Sequence, residues 1–403
     1  MKTQSASRRL TLKAALAVAW GLTFAAGPFS GLVLAQDAPI KVGYTQSRSG
    51  PFAPGSQTTQ EPNYLLWADM VNKAGGLSVQ GKKRMIELVG VDDRSDIETM
   101  VRTYEKFMTA DKVDLILPPW GTGANFAVAP VANKHGYPLV APTALSQKLV
   151  DMKLPYYFVT LQQPKPMMAA LVDMLAANQV KTVAVSYMDD LFGLENIGAL
   201  EPLLKEKGIR IVDKKSYPLG VKDLSTMLKG MKAAKPDAFI GITYPPDNFL
   251  ITGQSKEIGF APKIFYTAVG TAFPIYRERM GKASEGVMGM GSWNPKMSKA
   301  AKAYFDAHVA VNKKEPDRWA SAHAWAALEI IQQTVEKVGL DRKAMRDHIA
   351  TTEFTTVLGK MKFNGTEEVG VPGMVGQWQN GEFEIVWPPA RATAKAVMPK
   401  VWN

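Results

Sequence analysis

The chain has 403 residues, no cysteine, 46% hydrophobic residues and a formal net charge of +11. A chain without thiols has no disulfide framework, no thiolate metal site and no cysteine nucleophile. Its 48 Lys and Arg residues are spread along helical stretches instead of clustering with aromatics, so they read as solvated faces and speak against a nucleic-acid surface.

Lys2, Arg8, Arg9 and Lys13 form a basic segment without an acid, and Ala14 to Ala26 is an apolar run too short to span a bilayer. Val33-Leu34-Ala35 then offers small or modest residues at a peptidase site. This order predicts a secretion signal over residues 1–35, cleavage after Ala35 and a mature chain from Gln36. Ser7 to Lys13 is similar to the twin-arginine export pattern, with Thr11 where Phe is usual, so the Sec and Tat routes both stay open. No later run approaches about 18 apolar residues. Without the four leader cations the chain keeps about 368 residues and a net charge of about +7, more than one core usually supports.

The mature chain repeats one pattern. Ile40 to Tyr44 predicts a strand, and Tyr64, Trp67, Ala68 and Val71 fall at helical spacing. Met85 to Val91 reads as the next strand, followed by a helical stripe at Ile97, Met100, Val101, Tyr104 and Phe107. Asp114 to Leu117 is a buried-type strand, then a helix runs to Lys134 and a strand over Pro138 to Ala141. After Thr160 the alternation restarts. Met167 to Leu175 predicts a helix, Thr182 to Tyr187 a strand, and Ile197 to Leu204 a helix. Arg210 to Tyr217 is strand-like and Leu224 to Met231 helical, with strands over Asp237 to Thr243 and Lys263 to Thr267. Such alternation implies α/β architecture with parallel sheets covered by helices. Two similar series imply two lobes, with a cleft at the C-terminal ends of the strands.

Enzyme signatures fail. Gly76 to Lys83 approaches a P-loop, but Lys83 stands where Ser or Thr would hold magnesium, and the stretch follows a helix, so it reads as a turn before the Met85 strand. His135, His308, His323 and His348 are scattered, and neither HExxH nor GxSxG occurs. Asp92-Asp93 and Asp189-Asp190 sit at strand ends, where adjacent side chains on extended backbone point apart. Asn364-Gly365-Thr366 is a sequon without expected consequence. Pro118 to Phe126 reads PPWGTGANF, a Gly-Thr-Gly turn opening a helix beside an indole. It serves either as an ordinary strand-to-helix connection or as an anion site, because a helix start exposes unpaired N–H groups and the positive end of the dipole.

Ile40 to Gly43, Ser49-Gly50-Pro51-Phe52-Ala53 and Asn72 to Leu77 resemble the start of the periplasmic leucine/isoleucine/valine-binding proteins of ABC transporters. Ala127 to Ala132, Pro138 to Ala144, Asp223-Leu224-Ser225 and Gln254 to Gly259 continue the resemblance in order, over residues 38 to 388. It implies a two-lobed type I periplasmic-binding fold, each lobe a mostly parallel sheet flanked by helices, with the ligand cleft between lobes. The family's three crossings would fall near Gln162, Gly291 and Gly359, giving one lobe from 36–161 and 292–358 and the other from 162–291 and 359–403.

The resemblance also implies site residues. The family's first-lobe turn binds a ligand carboxylate through backbone N–H groups and a hydroxyl, which places Gly121, Thr122 and Gly123 there, with Trp120 on the apolar side and Ser49 in the preceding loop. Thr143 and Leu145 align with a second contact turn, where many relatives have a hydroxyl at Leu145. Asp190 and Phe192, then Tyr244, Asp247 and Trp293, complete the set from the second lobe and a crossing. One departure stands out. Amino-acid binders of the family commonly carry an acid after the strand corresponding to Lys263 to Thr267, whereas this chain has Ala268-Val269-Gly270-Thr271. Either Asp189, Asp190 or Asp247 pairs with the ligand ammonium, or the ligand is an aromatic or other organic carboxylate without one. The resemblance implies a monomeric, non-enzymatic periplasmic receptor without cofactor or metal, handing a small carboxylate, foremost a hydrophobic or branched-chain amino acid, to an inner-membrane ABC permease. A ligand-sensing regulator of the same fold is the rival reading, opposed by the leader; a secreted α/β enzyme is third.

Overall fold

The computed structural model describes residues 38–402; the leader and its cleavage point lie outside the described residues. Ile40–Gln46 runs parallel between Ile86–Asp92 and Leu115–Ile116. Leu139–Ala141 and Tyr157–Val159 form a further parallel pair, and Leu115, Val140 and Phe158 share one apolar cluster. The helix Ile97–Thr109 starts where Asp96 accepts the Thr99 N–H at 2.7 Å, and it buries Met100, Tyr104, Phe107 and Met108. These positions recur every three or four residues, the spacing of one helical face.

The second sheet has seven strands in the order Glu382–Trp387, Met374–Gln379, Met288–Gly291, Ile264–Thr267, Ala238–Ile242, Thr182–Met188 and Arg210–Tyr217. The last five are parallel, and the first two close one edge as an antiparallel hairpin. Ala238–Ile242 is buried at every position, as a central strand with both faces covered requires.

The chain passes between the two lobes three times. After Val159 it enters the helix Pro164–Ala177, which packs on Leu191–Glu206 beside the second sheet. After Gly291 it returns, and Lys299–Asn312 and Ser321–Val338 both pack on Glu61–Lys73. The third passage lies between Glu368 and Met374, later than the expected position near Gly359. Glu367 still pairs with Val159 of the first lobe, whereas Met374 pairs with Gly291 of the second. Gly359 instead opens the return strand of a hairpin between Phe354–Thr356 and Gly359–Met361.

The P-loop-like stretch is also more than a turn. Leu77–Val79 and Lys82–Arg84 pair as an antiparallel hairpin around Gln80-Gly81. Three helices after the second passage, Lys299–Asn312, Ser321–Val338 and Arg342–Thr351, complete the structure around the first sheet. Phe52, Trp120, Tyr244 and Trp319 belong to one apolar cluster that continues from lobe to lobe. No helix among the described residues is long and apolar enough to cross a membrane.

Candidate functional site

The helix Thr122–Lys134 begins at Gly121, whose φ of 101° and ψ of 151° place it in a region that residues with a Cβ seldom adopt. No side chain caps this start. The Gly121 carbonyl accepts the Asn125 N–H at 3.1 Å, so the amides of Thr122, Gly123 and Ala124 are the first-turn donors without intrahelical acceptors. Other helices of the chain use an acid or hydroxyl at this position: Asp96, Ser146, Asp190, Ser298 and Asp341 each accept a first-turn amide.

The two first-lobe turns are tied together. Thr122 Oγ1 accepts the Leu145 N–H at 3.2 Å, and Thr143 Oγ1 accepts both the Gly121 N–H and Gln60 Nε2–H at 3.3 Å. Because both hydroxyls act as acceptors in these bonds, each keeps its own proton to donate. Thr122, Thr143 and Leu145 are each 1% exposed. The Leu145 side chain belongs to the apolar cluster, so its backbone amide makes the polar contact.

Trp120 is the meeting point of the lobes. Its ring lies 5.8 Å from Phe52, 5.5 Å from Tyr244 and 6.0 Å from Trp319. Tyr244 stacks on Phe192 at 5.0 Å and meets Phe52 edge-on at 6.0 Å. Rings from both lobes therefore form one apolar surface of the kind that holds a hydrophobic side chain. The indole N–H groups of Trp120 and Trp319 have no acceptor in the protein.

The second lobe adds charge. Asp190 caps the helix Leu191–Glu206 through Oδ1, which accepts the Gly193 N–H at 2.9 Å, while Oδ2 accepts the Tyr244 hydroxyl at 3.0 Å. Gly193 is required here, because a Cβ would overlap the Met188 carbonyl oxygen. Asp247 Oδ2 accepts the Tyr244 N–H at 3.3 Å. Burial raises the Asp190 carboxyl, and burial followed by the Asp190 charge pushes Asp247 up to about 6. The groups acting on these two acids are backbone amides, tyrosine hydroxyls and neighbouring aspartates, with no basic side chain among them. Buried Asp247 and half-buried Asp190 in this state can accept a cation from a ligand.

Three expected positions fall elsewhere. Ser49 is exposed, and its carbonyl accepts Ser95 Oγ–H at 2.6 Å; the buried hydroxyl of that loop is Ser47, donating to Asp93. Trp293 packs on Tyr304 at 5.3 Å in a separate apolar cluster and donates to the Asp317 carbonyl at 2.8 Å. Trp319 takes the expected place beside Trp120. Its loop is held by the Asp317 carboxylate, which accepts the N–H groups of Trp319, Ala320 and Ser321. Asp189 is exposed, which leaves Asp190 and Asp247 as the acids beside the rings.

Phe52 and Trp319 were not among the expected site residues. Phe52 sits in the Ser49 to Ala53 motif and was available to sequence reasoning. The Asp317-Arg318-Trp319 start of a helix reads locally as a cap. The turn Ala268 to Thr271, where relatives place an acid, is closed by an internal polar network: Thr271 Oγ1 donates to the Thr267 carbonyl at 2.6 Å and lies 2.7 Å from the Asn248 amide. Among the described residues no group of three or more His, Asp or Glu gathers as metal ligands.

Residues 39–382 match the family model described as periplasmic binding protein. A Leu/Ile/Val-binding protein homolog of Brucella abortus is 24% identical over 387 residues, covering 90% of this chain and 95% of the relative. The branched-chain amino acid substrate-binding protein LivJ of Streptococcus pneumoniae, solved with isoleucine, superposes with a TM-score of 0.76 at 21% identity, covering 90% of this chain and all of that one, 100%. A solute-binding protein of an R. palustris ABC transporter, solved with benzoate, gives a TM-score of 0.77 at 18% identity over 89% of this chain and 97% of its own. The likeness to these structures shows the fold, a type I periplasmic-binding architecture.

Proposed function

The chain belongs to the periplasmic binding protein family, and from that premise we propose that it is the exported substrate-binding component of an ABC importer, closing on a small hydrophobic amino acid and delivering it to a membrane permease. The observation that carries this reading is the contact of Trp120 with Tyr244 across the lobes. It brings an uncapped helix start, suited to a carboxylate, into one neighbourhood with the buried Asp247 and the half-buried Asp190, which have no basic partner among the described residues and suit an ammonium. The aromatic rings between them take the apolar side chain. In this reading Thr122 and the amides of Gly123 and Ala124 hold the carboxylate, and Asp190 with Asp247 replaces the acid missing from Ala268 to Thr271.

The protein acts outside the cytoplasm as a monomeric receptor without cofactor or catalytic step. Its resemblance to binding proteins and its basic, apolar leader support this. A ligand that touches both lobes favours the closed form by its differential affinity for that form. An aromatic carboxylate without an ammonium is the second reading, favoured by the ring surface and by the benzoate seen in one structural neighbour. A thermal-shift screen of amino acids against aromatic and aliphatic acids tests the proposal. A ligand at 100 times its Kd adds about 2.7 kcal/mol, and a panel in which no small carboxylate raises the melting temperature would refute it.

A further inference from the structure

Beyond the cleft residues, the lobes are joined by a carboxylate that belongs to neither the ring surface nor the acid pair. Glu195 lies on the second-lobe helix Leu191–Glu206, just past Phe192. Its Oε2 accepts the backbone N–H of Gln147 at 2.7 Å, and its Oε1 lies 3.7 Å from Lys148 Nζ. Both partners sit on the first-lobe helix Gln147–Asp151. The Ser146 hydroxyl caps that helix through the Leu149 N–H at 3.3 Å, and Glu195 supplies the acceptor for the Gln147 amide. The Glu195 side chain is only 9% exposed where it meets the first-lobe helix.

We propose that Glu195 is an interlobe latch: it stabilises the closed form and lengthens the ligand's residence without touching the ligand. The proposal rests on the reading of the chain as a receptor that closes. Opening returns the carboxylate and the Gln147 amide to water, where each is solvated, while Lys148 is 63% exposed even in the closed form, so the net gain on closing is modest and closure stays reversible. The bond connects two elements that move with different lobes, so its strength enters the open–closed equilibrium directly. Closure is thereby partly preset by the protein, and the ligand supplies the rest.

The absence of cysteine makes the test direct, because Glu98→Cys in the first lobe and Lys229→Cys in the second give two unique spin-label sites on exposed helix positions. Interlobe distances are measured by pulsed electron resonance in the ligand-free double-cysteine protein and in its Glu195→Gln and Glu195→Ala forms. The longer-distance population should grow from wild type through Gln, which still accepts the Gln147 amide, to Ala. Superimposable distributions in all three overturn the latch. With leucine as probe, release from Glu195→Ala should be about tenfold faster, with the preference for leucine over 4-methylpentanoate unchanged. An unchanged release rate or an altered preference also overturns it. If leucine does not bind the wild-type protein, the ligand assignment fails while the ligand-free distances still decide the latch.

Discussion

The Thr122 hydroxyl oxygen accepts the Leu145 N–H, and its proton remains for a ligand oxygen. Thr122→Ala should therefore weaken carboxylate binding by about 1.5 to 3 kcal/mol, the range for a hydrogen bond to a charged group. Titration calorimetry reads this, and a wild-type Kd in the mutant would make the turn purely structural. Asp247 supplies a pH signature. Its folded carboxyl titrates near 6, above the ordinary 3.8, so its contribution to stability is present at low pH and lost as pH rises through about 6. An ammonium ligand reverses this by preferring the ionised acid. Amino-acid affinity should fall up to about tenfold per pH unit below 6, whereas an acid lacking the ammonium should show no such fall. Equal pH profiles for the two ligands would remove Asp247 from the site. At this scale the sequence was only partly legible: Trp120, Thr122, Phe192 and Tyr244 assemble from motif positions, but choosing Trp319 over Trp293 depends on which side of the second passage each ring faces, and no local pattern encodes that.

The presence and order of strands and helices up to Thr267 were the most legible features, because alternating apolar runs and three-to-four-residue stripes follow directly from burial on one face, although the helix expected over Ile197 to Leu204 in fact spans Leu191–Glu206. Asp114 to Leu117 and Asp237 to Thr243, for example, enclose the observed strands Leu115–Ile116 and Ala238–Ile242. Short polar hairpins were not legible. Lys82–Arg84 carries no apolar alternation, and its pairing with Leu77–Val79 hid behind a P-loop-like spacing. The third passage was misplaced for a similar reason: residues 359 to 368 contain two-residue and three-residue strands too short to show a period. One element makes a sharp prediction. The turn from Thr182–Met188 into Leu191–Glu206 depends on Gly193, where a Cβ would overlap backbone and not a flexible side chain. Gly193→Ala should lower stability by about 1 to 3 kcal/mol, although helix propensity alone would raise it by up to about 1. A melting temperature equal to or above wild type would contradict the packing.

For the whole molecule, the family resemblance and the two-lobe architecture were legible because several weak motifs keep their order along the chain. The ligand was not, since the departure at Ala268 to Thr271 removes the family's usual acid and leaves the ammonium partner to the folded arrangement of Asp190, Tyr244 and Asp247. Processing is testable at this scale: exported protein should begin at or near Gln36 by mass spectrometry, and intact Met1 in the extracytoplasmic fraction would contradict the leader reading. The central claim, a cleft that takes carboxylate and ammonium together, is tested most directly by calorimetry of the wild-type protein with leucine and 4-methylpentanoate at neutral pH. The account predicts that leucine binds more tightly and that Asp190→Asn, which keeps a capping side chain but loses the charge, abolishes or reverses that preference. Tighter binding of 4-methylpentanoate by the wild-type protein, or a leucine preference that survives both Asp190→Asn and Asp247→Asn, would contradict it.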